Sequence, residues 1–173
     1  MTIHSEHPFL PADGERDPLR RLRGRMAAPV TVWTSELDGR RTGWTVSSLL
    51  LADGRPSELL GLLDEDAELA DVVLQTRTVA VSVLAGGHGG LADAFAGLVP
   101  APGGAFRLGR WRDTEWGPVL EDAVGWVGAR LDGGEPERAG WALLIRARVE
   151  HVGLAETGDV LAHLRGRYRA LEL

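Results

Sequence analysis

The sequence predicts a mainly β fold, a β-barrel or sandwich with a few short helices, on three observations. Strand-like runs dominate, Gly, Pro and Asp punctuate them closely, and the helical patterns are too few to alternate with strands as a doubly wound sheet requires. At 173 residues the chain can bury a core without disulfides or metal.

The elements follow in order. Residues 1–16 are polar, acidic and Pro-containing, and read as a flexible arm with neither a signal peptide nor an anchor. Residues 17–173 form a single domain. Asp17 before Pro18 is an N-cap and N1 pair, which predicts a short helix over "DPLRRLRGRM". "PVTVWTS" and "RTGWTVSSLLLA" are strands, with Asp38 and Gly39 supplying the hairpin turn. "ADGRP" is a second turn. "DEDAELADVVLQT" is a helix with its acids at the positive end of the dipole and Leu69, Val72 and Val73 on one face. "TVAVSVLAG" is a strand, and "GLADAFAG" a brief helix stopped by Gly97. "AFRLGRW", "VLEDAVGWVGARLD", "GWALLIRARVEHV" and "VLAHLRGRYRAL" read as strands, the middle two joined across "DGGEPE".

Composition removes whole classes of chemistry. Without Cys there is no thiolate zinc site, Fe–S cluster, Cys nucleophile or disulfide, which fits a cytoplasmic protein. All 19 basic residues are Arg, so Schiff-base and P-loop lysines are absent. A net charge of -6 argues against nucleic acid as a partner. The run Arg20 to Arg25 is interleaved with Leu19, Leu22 and Met26 at helical spacing and reads as a solvated helix face. No apolar run reaches membrane-spanning length.

Conventional catalytic motifs are poor. "GHGGLA" at 87–92 matches a dinucleotide fingerprint, but no long helix or crossover to a parallel strand follows. His4 and His7 have ligand-compatible spacing but sit on the flexible arm, and His88, His151 and His163 have no acidic or His partner at metal-site spacing, so no metal is expected. Acids that open a helix need no cation to explain them. Ser47 and Ser48 lack a nucleophile elbow. The hydroxyls of "TGWTVSS" either face solvent or converge with backbone N–H groups on an anion, with Gly43 allowing close approach.

Together "PVTVWTS", "TGWTVSS", "VAVSVL", "FAG" and "HLRGRYRAL", in this order and spacing, resemble the flavin reductase-like family of FMN-binding split β-barrels. The resemblance runs from Pro29 to Gly97 and resumes near His163. It implies a homodimer of split barrels with FMN near the dimer interface, FAD being an alternative. It places Thr45, Val46, Ser47 and Ser48 at the flavin phosphate and ring edge, and Asp64, Glu65, Asp66 and Ala67 beside the cofactor. Ser82 falls where members often have Asn. His163, Arg167 and Tyr168 line the mouth for the nicotinamide of NADH or NADPH, and Trp44 either walls the pocket or is core. The implied activity is hydride transfer from NAD(P)H to FMN, with a monooxygenase as a partner that receives reduced flavin. The alternatives are a non-catalytic flavin-binding module, or a split-barrel flavoenzyme with another donor such as a deazaflavin. Where many members carry G-D-H, this chain has Gly140, Trp141 and Ala142. Where members have a small polar turn it has "DEDA", so either those acids point away or an Arg such as Arg77 neutralises them.

Overall fold

A computed structural model describes residues 17–156 and 158–172, and the predicted arm lies outside them. Every strand pairing is antiparallel. Helix α1 (Pro18–Arg23) starts where Asp17 accepts the Leu19 N–H at 3.0 Å, and it buries none of its residues. Strands β1 (Ala28–Pro29), β2 (Thr31–Leu37) and β3 (Arg40–Val46) follow, then β4 (Leu49–Ala52) and β5 (Glu58–Asp64). Helix α2 (Glu68–Thr76), β6 (Thr78–Val83) and α3 (Gly89–Phe95) complete the first half. The second half holds β7 (Trp111–Arg112), β8 (Val119–Leu120), β9 (Gly125–Leu131), β10 (Glu137–Ala139), β11 (Ala142–Leu154), β12 (Val160–Leu164) and β13 (Arg167–Leu171).

The main sheet runs β3-β2-β6-β9-β11-β5-β4, with β10 paired to β11, and curls into a half-barrel. Its inner face carries Trp33, Leu59, Leu63, Val79, Val81, Val127, Ala129 and Ile145, closed by Leu69, Ala70 and Val73 of α2. This is the mainly β barrel the sequence predicts. Asp38 and Gly39 form the expected turn, both at positive φ (52° and 79°), a combination that matches the twist of the paired strands. A smaller sheet, β1-β12-β13, stands beside it.

Several predicted elements are cut differently. "RTGWTVSSLLLA" is two strands, broken at Ser47 and Ser48. "VLEDAVGWVGARLD" breaks at residues 121–124, where Ala123 N–H turns back to the Leu120 carbonyl. "VLAHLRGRYRAL" is a hairpin turned by Arg165 and Gly166, both at positive φ. "AFRLGRW" is mostly a 3-10 turn, Ala105–Leu108. Gly103 and Gly104, also at positive φ, redirect the chain so that Phe106 packs edge-on against Phe95 and Trp111. "GHGGLA" leads into a helix of seven residues between antiparallel strands, the opposite of a dinucleotide-binding crossover.

On the outer face of β9, Trp116 lies flat over Gly128 and donates its indole N–H to Glu150 at 2.8 Å. That hydrogen bond, followed by Arg130 and Arg148 and partly opposed by burial, holds the Glu150 carboxyl below its ordinary range. A lowered carboxyl contributes stability that is present above its unfolded-state pKa and is lost as pH falls through the folded-state value. Trp116→Phe keeps an aromatic ring of smaller size and removes the donor. Its deficit in urea midpoint against wild type is expected to be largest at pH 7 and to shrink toward about pH 3. A deficit independent of pH would assign Trp116 to packing alone.

Candidate functional site

The sheet breaks at Ser47 because β3 and β4 follow different partners. Thr31 pairs with Val46 on one side of the break, and Gly61 pairs with Leu49 on the other. Ser48 is stitched to β5 twice: its carbonyl accepts the Leu62 N–H at 3.1 Å, and its hydroxyl donates to the Leu62 carbonyl at 3.1 Å. Among the described residues no backbone carbonyl accepts the Ser47 or Ser48 N–H. Both residues are exposed. The break therefore leaves two amide donors without a backbone acceptor and the Ser47 hydroxyl without a partner among the described residues, a donor set that fits an anion such as a flavin phosphate.

Thr45 and Val46 play another part. The Thr45 hydroxyl donates to the Ala92 carbonyl of α3 at 2.7 Å, and Val46 is buried, its carbonyl accepting from the Thr31 hydroxyl at 2.6 Å. They hold the strand against its neighbours. Gly43 does permit a close approach, but the group that approaches is the Phe95 ring, 2.6 Å from where a Cβ would sit. Trp44 pairs with Trp33 and packs on the barrel core.

The turn Asp64 to Ala67 begins two residues past Leu62, next to the break. It is closed on itself: Asp64 accepts the Asp66 N–H on its side chain and the Ala67 N–H on its carbonyl, both at 3.1 Å. One of its three carboxylates is paired by a distant residue, Glu65 with Arg138, and in the α2 helix that follows Glu68 pairs with Arg40 at 2.5 Å. Arg77 points elsewhere and donates to the Asp132 and Gly134 carbonyls, bracing the turn that follows β9. The turn thus offers a self-closed wall near Ser47 in which one of three carboxylates, that of Glu65, is paired.

Residues near the second sheet divide by face. His163 and Tyr168 are cross-strand partners with rings 5.8 Å apart, and the Tyr168 hydroxyl donates to Asp93 of α3 at 2.8 Å. Burial, then Asp93, pushes the Tyr168 phenol far above its usual value, so it remains a proton-bearing donor. Arg167, one position along β13, points to the opposite face of the hairpin. Consecutive residues of α3, Ala92 and Asp93, hold Thr45 and Tyr168, and this links the break to the hairpin. Ser82 stands apart: it is fully buried and its hydroxyl accepts the Leu120 N–H at 3.0 Å.

Two contributors escape sequence reasoning. Arg138 gives no local sign of pairing with Glu65, because β10 and β11 bring them together. Gly61 did leave a sign, a lone Gly in an apolar run. A Cβ there would meet the Trp33 ring at 2.5 Å and the Ser48 carbonyl at 2.9 Å. Gly140 and Trp141 form the two-residue turn between β10 and β11, with Gly140 at φ 65° and Trp141 64% exposed, one residue before Ala142, which pairs with Asp64.

Comparison with known proteins gives consistent matches. Residues 23–172 match the family model described as flavin reductase like domain. A relative from Ancylobacter novellus, named FMN reductase (NADH) RutF, is 31% identical over 159 residues, covering 90% of this chain and 85% of its own. The solved flavin reductase PheA2 in its native state superposes with a TM-score of 0.81 at 26% identity, covering 92% of this chain and 100% of that one. The styrene monooxygenase flavin reductase of Pseudomonas putida, at 19% identity and a TM-score of 0.79, covers 91% and 99% and supports the fold alone.

Proposed function

The chain belongs to the flavin reductase-like family, and from that premise we propose that it is an oxidoreductase that binds FMN and reduces it with NADH. The observation that carries the site is the break at the exposed residues Ser47 and Ser48, whose two amides have no backbone acceptor among the described residues, beside a turn in which Glu65 is paired with Arg138. When bound, the flavin supplies the redox chemistry, accepting a hydride on its ring. The chain's own residues then need only bind and orient. Ser47 and the two amides receive the phosphate, the Asp64 to Ala67 turn walls the ring, and α3 keeps the break and Tyr168 in fixed relation. Thr45, Val46 and Ser82 support this frame through their internal hydrogen bonds and burial. His163 faces the co-substrate with Tyr168, and Arg167 serves from the other face of the hairpin.

The working form we infer is a homodimer. On the outer face of the barrel, Leu50 pairs with Leu60 and Leu62 with Leu144, a contiguous apolar strip in which Leu50 is 62% and Leu62 37% exposed. A second copy covers such a strip by two-fold symmetry. Ser48 adjoins it through Leu62, so the flavin segment lies at the rim of that contact. No helix among the described residues is long and apolar enough to cross a membrane. Reduced flavin passes to an acceptor, for which a partner monooxygenase fits the family reading.

The test is spectroscopic. Protein loaded with FMN and desalted is expected to stay yellow and to bleach anaerobically on addition of NADH. Retained colour that neither NADH nor NADPH bleaches would favour a binding module or another donor. Changing Ser47 and Ser48 together to Ala is expected to weaken FMN at least tenfold, about 1.4 kcal/mol, and an effect within about twofold would remove the side-chain hydroxyls from the phosphate role.

A further inference from the structure

Two short runs concentrate positive charge in an acidic chain. Arg20, Arg21, Arg23 and Arg25 lie in and just after α1, and Arg165, Arg167 and Arg169 in the last hairpin. They are seven of the 19 cations in a chain with a net charge of -6. Asp17 is the only acid in residues 17–28, and 163–171 hold none. Asp17 is itself committed to the helix cap.

The fold brings the runs together. The Arg165 N–H donates to the Gly24 carbonyl at 2.7 Å, and Ala28 pairs with His163, so the end of α1 abuts the tip of the hairpin. Arg21, Arg25, Arg165, Arg167 and Arg169 are exposed. Clustered like charges repel and lower stability, so the gathering of these exposed arginines where the two segments abut calls for an anionic counterpart. A two-fold contact through this face would set arginine against arginine, which leaves it open in the dimer inferred above.

We propose that this basic face draws the phosphates of the nicotinamide dinucleotide toward the site beside Tyr168, an assignment that rests on the reductase reading. Tyr168 sits between Arg167 and Arg169 in sequence and reaches α3 on the other face. A chain of overall negative charge repels a dianionic donor at long range. A local positive field beside the binding site reverses that sign within the Debye length, about 10 Å at 0.1 M salt. The field acts more strongly on NADPH, which carries one more phosphate than NADH.

Steady-state rates with NADH and with NADPH, at fixed FMN and from low salt to about 0.5 M, test the assignment. The expected result is a fall in kcat/KM of about tenfold for NADH, and a steeper fall for NADPH. Arg21→Gln combined with Arg169→Gln is expected to lower kcat/KM about threefold at low salt, leave kcat unchanged, and match wild type at high salt. A flat salt profile, or a variant deficit equal at all salt concentrations, overturns the proposal alone. Failure to oxidise either donor at any salt overturns the reductase reading and this proposal with it. Vesicles of phosphatidylglycerol that sediment wild type but not the double variant, together with flat kinetics, would assign the face to a membrane surface instead.

Discussion

Gly61→Val is expected to destabilise the protein by about 3 kcal/mol, to lower its Tm by roughly 6 to 12 °C, and to loosen FMN at least tenfold in the molecules that remain folded. The cause is immobility on both sides. A Cβ at Gly61 falls 2.5 Å from the Trp33 ring and 2.9 Å from the Ser48 carbonyl. Trp33 cannot retreat, because it is fully buried and its indole N–H is held by the Thr31 hydroxyl at 3.0 Å, which in turn donates to the Val46 carbonyl. The strain is therefore relieved by moving β5 or the Ser48 backbone, and the latter is the candidate phosphate cradle. Gly61→Ala should act in the same direction with smaller size, and protects the test against outright unfolding. Thermal melts and FMN titration on both variants decide it. Wild-type stability together with wild-type FMN affinity in Gly61→Ala would show that Trp33 and Ser48 accommodate a methyl group and that the coupling is absent.

Gly128→Val is the second large effect, and it should separate stability from binding. Its Cβ would lie in contact with the Trp116 indole, at Cδ2 and Cε3. Trp116 is nine-tenths buried and packs with Ala80 and Val119 on the outer side of the sheet. Displacing it forfeits that packing and the hydrogen bond to Glu150, which together should cost about 3 to 4 kcal/mol. The segments proposed to hold the flavin lie on β3, β4 and the turn after β5, away from this face of β9. FMN affinity, measured well below the lowered Tm, should stay within about twofold of wild type. A loss of FMN comparable to that of Gly61→Val would mean that the outer aromatic layer positions the site as well.

What could be read from the sequence divides along physical lines. Asp38–Gly39 and the Asp17–Pro18 helix start were legible because both are set by the conformational preferences of adjacent residues. The β5 strand was not read, since "ELLGLLD" carries no alternation that separates a strand buried on its inner face from other apolar runs. The "DEDA" acids posed a sequence-level conflict that a distant partner removes only in part: Arg138 pairs with Glu65, while Asp64 is committed to the Asp66 N–H of its own turn. The hydroxyls of "TGWTVSS" looked like one group and proved to be three. Thr42 and Thr45 bond internally, Ser48 stitches β4 to β5, and Ser47 alone keeps its hydroxyl free of any partner among the described residues.

By itself the sequence determined the mainly β class, the absence of thiol and lysine chemistry, the order of the family motifs and most local turns, because each depends on residue type or on neighbours in the chain. The tertiary structure alone decided where RTGWTVSSLLLA breaks, which carboxylates are paired, which face of the last hairpin each residue takes, and that two arginine runs more than a hundred residues apart meet where Arg165 bonds Gly24. Those are properties of strand register and of contacts between distant segments, where a shift of one residue reverses the face and a partner's identity depends on the closure of the whole barrel.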